Sequence, residues 1–199
     1  SASGILNQCI EKDLDAKMDR TNTRPLVKGI LNYQLALLSG IILSIVGVFY
    51  ITYFINFITA MIAGLTVFSY ICIYTPLKTR SKWNTIVGAF PGALPPVGGW
   101  TAATGTFDAP ALVLFLILFC WQIPHFFSLA IIYKDDYKKA GFKMLPSIDD
   151  TLNATLFQIV FFNVIWIVIF GLRKKSISFY SAELCSFIIL NHLKIKGKR

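Results

Sequence analysis

The sequence is poor in charged side chains, and the few that it has are unevenly distributed. Charged residues make up 15% of the 199-residue chain, whereas an average soluble domain carries about 25%. The hydrophobic fraction of 55% excludes a disordered chain, which needs low hydrophobicity and high net charge. The residues without any charged side chain form four stretches, which are 29–77, 83–107, 109–133 and 151–172. A helix needs about 20 apolar residues to cross a bilayer, so these stretches predict membrane-spanning helices.

The uncharged stretches predict an all-α polytopic membrane protein, a bundle of transmembrane helices around a central cavity. The first stretch is long enough for two spans, split near Tyr50 to Tyr53. We expect the end of one helix at 1–19 and then five spans, at about 31–50, 53–75, 84–104, 109–133 and 152–172. The chain starts at Ser1 within what resembles a helix already under way, so we expect further N-terminal sequence. Residues 1–199 are interpreted as a single transmembrane domain.

Signatures of disulfide-rich and zinc-binding proteins are also missing. The cysteines Cys9, Cys72, Cys120 and Cys185 show no paired spacing, and we interpret them as small packing residues. The last apolar stretch, 177–191, is short for a bilayer and contains Glu183. The topology of residues 173–199 therefore stays open.

The basic residues indicate how the spans are oriented. They lie mainly in three segments, 12–28, 78–82 and 134–143, which are separated by even numbers of predicted spans and should share a face. The connections between them have no basic residue, so the positive-inside rule puts these segments in the cytoplasm or matrix. The net charge of +9 is thus an orientation signal and not evidence for nucleic-acid binding. Arg173, Lys174 and Lys175 do not fit this pattern.

Acidic side chains near the N-terminus recur at helical spacing. Asn7, Glu11 and Asp15 are four residues apart, and each step of four drifts by only about 40° around an α-helix. They therefore form one polar stripe, with Asp19 further round and Pro25 expected to end the helix near Arg24. Stacked carboxylates repel one another unless cations lie between them. Hard oxygen ligands at this spacing suit Mg²⁺ that holds a diphosphate.

This stripe and its continuation resemble a known family. Residues Asn7 to Leu26, with Arg20-Thr21-x-x-Arg24-Pro25 after the acids, are similar to the first Asp-rich motif of the intramembrane aromatic prenyltransferase superfamily, in its protoheme IX farnesyltransferase (haem O synthase) branch. Other stretches agree: Tyr74-Thr75-Pro76-Leu77-Lys78-Thr79-Arg80, Gly92-Ala-Leu-Pro95-Pro96-Val-Gly98-Gly99-Trp100, Trp121-Gln122-Ile-Pro124-His125-Phe126, and Asp135-Asp136-Tyr137 through Met144-Leu145-Pro146. The family fold has about nine helices, so the chain would be partial relative to it, short at both ends.

The resemblance implies farnesyl transfer from farnesyl diphosphate to the vinyl group of haem B, with Mg²⁺ as cofactor and haem O as product. The catalytic residues would be Asn7, Glu11, Asp15 and Asp136, and the metal ligands Glu11, Asp15, Asp135 and Asp136. Diphosphate would bind to basic side chains, with Lys78 and Arg80 ranked above Arg20 and Arg24, and Lys134 also a candidate. Tyr133 and Tyr137 stand where the superfamily commonly has outer acids in its second motif, which reduces the number of metal ligands.

The acceptor site is predicted from the fourth span. His125 is an imidazole inside a membrane span, which is a functional candidate by default. Asp136 follows eleven residues later, so on one continuous helix both would look into the same cavity, with His125 deeper. We expect His125 to bind haem and Trp121 to add a flat wall, with an interhelical hydrogen bond and a lipid-facing ring as the alternatives. The Gly/Pro-rich span 84–104 predicts a broken helix that lets neighbours or a bulky ligand approach.

The implied partners are farnesyl diphosphate, haem B and the lipid bilayer, with association with haem A synthase or terminal oxidase assembly as a further possibility. The expected location is the bacterial inner membrane, with the mitochondrial inner membrane as the alternative. Three other functions stay open: prenylation of a quinone or chlorin precursor, ion-coupled transport, and an inactive truncated homologue. Transport predicts acids in mid-span, whereas Glu11 and Asp15 lie at one interface beside Arg and Lys.

Overall fold

The structure is a computed structural model that describes residues 2–168. These residues are helical and contain no β-strand. The α-helices are α1 (Ala2–Ile10), α2 (Lys12–Asp15), α3 (Tyr33–Phe54), α4 (Phe57–Phe68), α5 (Thr75–Arg80), α6 (Asn84–Thr104), α7 (Ala109–Ile132), α8 (Lys134–Ala140), α9 (Leu145–Ile148) and α10 (Asn153–Trp166). A π-helical turn, Ser69–Tyr74, joins α4 to α5, so that Phe57–Arg80 form one rod of 24 residues.

Within residues 2–168, three helices have the length and apolar composition to cross a membrane, namely α3, the Phe57–Arg80 rod and α7. Many of their large side chains face outward. Leu35, Phe49 and Tyr53 are 67%, 70% and 85% exposed. Soluble monomers rarely expose contiguous apolar surface of this extent, whereas lipid removes the cost of hydrating it. The chain is therefore an all-α polytopic membrane protein, as the sequence predicted.

Helices that follow one another along the chain also pack together. Contacts run from α1 to α3, from α3 to α4, from α4 to α6, from α6 to α7 and from α7 to α10. The helix in the middle of this series, α6, is the most deeply buried, with Ala89, Ala93 and Val97 fully inaccessible to solvent. Small side chains let its neighbours approach closely, which is the usual basis of helix packing in membranes.

The Gly/Pro-rich helix α6 runs unbroken over 21 residues although it contains Pro91, Pro95 and Pro96. The expectation of a broken helix is therefore wrong, because α4 and α7 pack against α6 and support it where proline removes a hydrogen bond. The close approach is made by protein side chains. A Cβ atom at Gly88 would lie 2.4 Å from the Tyr74 ring, and one at Gly92 would lie 2.0 Å from Gln122 Oε1.

The predicted spans agree with the described helices except at two boundaries: the separation of the first two spans, and the end of the second, which continues past residue 75 to Arg80. The first two spans separate at Asn56 and not at Tyr50 to Tyr53, since α3 continues to Phe54. The Asn56 side chain accepts the Thr59 N–H and donates to the Thr101 carbonyl, both at 2.8 Å. These bonds cap α4 and tie the connection to α6. The predictions for residues beyond 168, including the end of the fifth span, 177–191 and the cluster at Arg173, lie outside the described residues.

The N-terminal helix is shorter than predicted. Instead of reaching residue 19, α1 ends at Ile10 and the short α2 ends at Asp15. Turns follow, because the Thr21 hydroxyl donates to the Asp15 carbonyl at 2.9 Å and the Arg24 side chain folds back to the Asp15 carboxylate. Pro25 is therefore not what ends the helix.

The three basic segments meet at one end of the bundle, as the even number of crossings predicts. Lys139 Nζ contacts Asp19 Oδ2 at 2.9 Å, which joins α8 to the loop after α2. The Lys143 N–H donates to the Lys78 carbonyl at 2.8 Å, which joins the connection after α8 to α5. Residues widely separated in sequence are thus brought to a common site.

The contact between Gly88 and Tyr74 generates a stability prediction. Gly88→Ala should lower the free energy of unfolding by about 1–3 kcal/mol, because the added methyl group would overlap an aromatic ring held in a packed interface. Gly99→Ala, in the same helix, is the matched control: a Cβ there meets no atom within 4 Å, and alanine favours a helix over glycine. Thermal unfolding in detergent measures both variants. Equal stability of the two would contradict the packing role of Gly88.

Candidate active site

A polar cleft of about 150 Å³ lies at the end of the bundle where the basic segments meet. It is formed by α1, α2 and the loop after them on one side, and by the Phe57–Arg80 rod and α8–α9 region on the other. Six residues from the predicted site line it: Asn7, Glu11, Asp15, Arg20, Arg24 and Lys78. The stripe on α1 and α2 therefore faces a cleft, and the structure brings it together with three cations.

Asn7, Glu11 and Lys78 form a buried network at the base of the cleft. Lys78 Nζ lies 2.8 Å from Glu11 Oε1, and Asn7 Nδ2 donates to Glu11 Oε2 at the same distance. Asn7 Oδ1 accepts from Lys78 Nζ at 3.3 Å and from Thr75 Oγ1 at 3.1 Å. The Glu11 side chain is 6% exposed and that of Lys78 10%. A buried ion pair such as Glu11–Lys78 is stable only where further hydrogen bonds satisfy the remaining polar atoms of both side chains.

Asp15 is the most deeply buried acid of the cleft. Its side chain is 1% exposed and pairs with Arg24, whose side chain is 30% exposed. Because Arg24 is part of the loop after α2, this ion pair brings the loop back over the end of α1 and α2. The guanidinium of Arg24 thus faces the cleft with one side bound to carboxylate.

Arg20 connects this loop to the second acidic motif. Its backbone N–H lies 3.4 Å from Asp136 Oδ2, and its Nη2 lies 3.5 Å from the Tyr137 hydroxyl. The guanidinium also stands over the Tyr133 ring, 4.8 Å from the centroid. Burial raises the pKa of Tyr137, which the nearby Arg20 charge partly opposes, so the hydroxyl stays protonated. Asp136 does not itself line the cleft, but it contacts Arg20, an exposed lining residue at the rim.

Aromatic residues of the cleft were missed by the sequence analysis. The residues that line it beyond the predicted set are Met18, Tyr70, Tyr74, Tyr137, Phe142 and Met144. Lys78 Nζ lies 4.6 Å from the Tyr74 ring centroid and 5.9 Å from that of Tyr70, distances at which an aromatic face attracts a cation. The signal in the sequence is the four-residue spacing of Tyr70, Tyr74 and Lys78 on one rod.

The π-helical turn keeps this spacing on one face. Pro76 has no N–H and its ring crowds the preceding turn, and the helix widens just before it, over Ser69–Tyr74. A step of four residues drifts about 40° forward on an α-helix, whereas on a wider turn it falls short of a full circle. The two deviations offset each other, so Tyr70, Tyr74 and Lys78 all point to the cleft.

Four predicted ligands do not line the cleft: Arg80, Lys134, Asp135 and Asp136. Arg80 is exposed, because two residues from Lys78 correspond to about 200° around a helix, whereas Arg20 and Arg24 line the cleft. A diphosphate-binding role for Arg80 stays a prediction. Lys134 Nζ lies 3.6 Å from Asp150 Oδ1 and 3.5 Å from the Asp149 carbonyl. Asp135 is exposed on α8.

His125 and Trp121 also lie outside the lining of this cleft. Their rings stack at 5.1 Å with an interplanar angle of 11°, and Trp121 is 42% exposed. The expectation that His125 and Asp136 share one helix face fails because α7 ends at Ile132 and α8 begins only after Tyr133. Their acceptor role stays a prediction.

The donor set of the cleft fits a magnesium diphosphate. Among residues 2–168, no three His, Cys, Asp or Glu side chains come together as a metal-binding group. Mg²⁺ does not require one, since it keeps several waters and is usually held by one or two carboxylates and the phosphates of a substrate. Glu11 and Asp15 supply two buried carboxylates, and the three cations beside them leave the cleft with one positive charge in excess.

Several known proteins similar to this chain carry the name protoheme IX farnesyltransferase. The chain is 46% identical over 164 residues to the protoheme IX farnesyltransferase of Solibacter usitatus, covering 82% of this chain and 56% of that protein. It is 46% identical over 171 residues to that of Flavobacterium johnsoniae (86% and 56%), and 49% identical over 146 residues to that of Flavobacterium psychrophilum (73% and 48%). The chain thus spans about half the length of these relatives.

The family assignment rests on a match along almost the entire chain. The model of the UbiA prenyltransferase family matches residues 1–198, and no solved structure matches the chain. The resemblance seen in the motifs is thereby confirmed. The chain, with its acidic stripe and basic cleft at one end of a membrane bundle, belongs to the UbiA prenyltransferase family.

Proposed function

We propose that the protein transfers a farnesyl group from farnesyl diphosphate to the vinyl group of haem B, producing haem O. The observation that carries the proposal is the cleft in which two buried carboxylates face three cations at one end of a membrane bundle. A donor with a polar diphosphate and an apolar tail suits such a position. The acceptor is chosen from the relatives, whose printed name is protoheme IX farnesyltransferase.

The cations of the cleft would act on the leaving group. When the bond between the allylic carbon and the diphosphate oxygen breaks, negative charge builds up on the departing diphosphate. Groups fixed near that charge stabilise the transition state more than the ground state. Arg20 and Arg24 offer planar guanidinium donors that match phosphate oxygens, and Lys78 offers a compact point charge. Two of the three, Lys78 and Arg24, come already oriented by their carboxylate partners.

Glu11 and Asp15 would hold Mg²⁺ from the side of α1 and α2, and Asp136 would face it from the rim. When bound, the ion would neutralise charge on the diphosphate. Asn7 would support the carboxylate site through the hydrogen bonds of its amide, because both of its polar atoms already contact Glu11, Thr75 or Lys78. The half-buried aromatic rings around Lys78 would exclude water from the breaking bond, which protects a reactive carbocation.

The membrane setting of the proposal follows from the basic segments. We place the cleft on the cytoplasmic face of a bacterial inner membrane, or the matrix face of a mitochondrial one, because the basic side chains collect at that end. The haem product has to be passed on within the membrane, so association with haem A synthase or with oxidase assembly is part of the proposal.

Pigment extraction tests the proposed function. Cells that lack their own haem O synthase and express this protein should contain haem O. A prenylated quinone or chlorin without haem O would favour the alternative acceptors. Absence of every prenylated product, with the protein present in the membrane, would identify an inactive homologue.

Replacing Asp15 tests the proposed metal site. Asp15→Asn should lower haem O formation by at least about 100-fold, because it removes a carboxylate that would hold the Mg²⁺ that neutralises the charge developing on the diphosphate. Membrane insertion should persist, since the Arg24 side chain is 30% exposed and can be hydrated. Asp13→Asn is the matched control, because Asp13 is an exposed acid of the same short helix. Wild-type haem O levels in the Asp15 variant would contradict the proposal that Asp15 holds the metal.

Replacing His125 tests the proposed acceptor site. His125→Ala should weaken haem binding while binding of farnesyl diphosphate with Mg²⁺ persists, because His125 does not line the cleft. Coupling between separate sites is typically only about 1–3 kcal/mol, so the two affinities should separate clearly. Both are measured on one purified variant. An equal loss for donor and acceptor would indicate a structural role of the imidazole instead.

A further inference from the structure

Thr75 occupies a position in the cleft network for which no role was predicted from the sequence. It is 3% exposed and is the first residue of α5, directly after the π-helical turn. Its hydroxyl lies 3.1 Å from Asn7 Oδ1 and 2.9 Å from the Tyr70 carbonyl, as a donor to both. The Tyr70 carbonyl also accepts the backbone N–H of Thr75, so it keeps a donor when the single hydroxyl hydrogen is directed to Asn7.

The donors around Asn7 fix which way its amide points. Oδ1 faces the Thr75 hydroxyl and the Lys78 ammonium, and Nδ2 faces Glu11 Oε2. An ammonium only donates and a carboxylate only accepts, so the reversed amide would place donor against donor and acceptor against acceptor. In this orientation Asn7 Nδ2 donates a hydrogen bond to the Glu11 carboxylate.

The two donors to Asn7 Oδ1 differ in how strongly a bound diphosphate would attract them. The Lys78 ammonium also pairs with Glu11, and in the proposed function it binds a phosphate oxygen as well. The Thr75 hydroxyl is uncharged, buried and attached to the start of α5, so a bound diphosphate does not draw it away. Thr75 is therefore the donor that continues to hold Asn7 when Lys78 is engaged with substrate.

We propose that Thr75 is a positioning residue, whose hydroxyl keeps the Asn7 amide turned toward Glu11 while the cleft holds a metal diphosphate. This inference rests on the proposed function. Thr75 acts through Asn7 and touches neither the metal nor the diphosphate. Its loss should weaken binding of a metal diphosphate, and serine, which retains the hydroxyl, should restore it.

Binding of an unreactive donor analogue tests this role without relying on turnover. The full chain in detergent is titrated with magnesium farnesyl thiolodiphosphate, and heat of binding gives the dissociation constant. Thr75→Val should raise that constant about five- to tenfold, the usual effect of one hydrogen bond, and Thr75→Ser should stay within about twofold of the wild type. Thr79→Val is the matched control on α5, because the Thr79 hydroxyl contacts only the Pro76 carbonyl; it should bind like the wild type.

A double-mutant cycle separates positioning of Asn7 from a general effect on the helix. In an Asn7→Ala background, adding Thr75→Val should change the constant by less than about twofold, because the partner of the hydroxyl is already gone. Full additivity, or equal losses for Thr75→Val and Thr75→Ser, would overturn the proposal. Wild-type affinity of Thr75→Val would overturn it while leaving the proposed function intact. Failure of the wild-type protein to bind the analogue would overturn both.

Discussion

Burial of two carboxylates at the end of a membrane bundle is the constraint on which the site depends. Glu11 and Asp15 are 4% and 1% exposed, and an isolated buried charge costs several kcal/mol after relaxation. Each acid is therefore matched with a cation from a different part of the chain, Lys78 for Glu11 and Arg24 for Asp15. The first pair fixes α5 against α1, and the second folds the loop after α2 over the acids. One electrostatic requirement thus sets the positions of three separate segments.

The surroundings of Lys78 show how packing far from the cleft serves this requirement. Tyr74 stands beside the ammonium at 4.6 Å, and its ring fits against α6 only because Gly88 has no side chain. Pro76 follows the π-helical turn that keeps both groups on one face. Gly88 and the π-helical turn therefore help to position the Lys78 ammonium at the end of the bundle. Since the cations outnumber the carboxylates by one, the result suits an anion that brings a metal with it.

Much of the architecture follows from local sequence. Spans 84–104 and 109–133 were predicted to within a residue, because the thickness of the hydrocarbon core dictates both the length and the lack of charge of a span. The polar stripe of Asn7, Glu11 and Asp15 was likewise predictable from helical spacing, although the helix ends at Asp15. Capping was harder to predict, since the turn at Asn56 depends on a bond to Thr101, far along the chain.

The sequence by itself determined the membrane class, the common face of the basic segments and the acidic stripe, because bilayer thickness and helical periodicity act on neighbouring residues. Only the tertiary structure decided which side chains meet those acids. Arg20 and Arg24 line the cleft, whereas Arg80 does not. His125 stacks on Trp121, outside the lining of the cleft. Such choices depend on where a helix breaks and how a loop folds back. The helix break and the fold of the loop are set by contacts between residues distant in sequence, which a local sequence pattern does not predict.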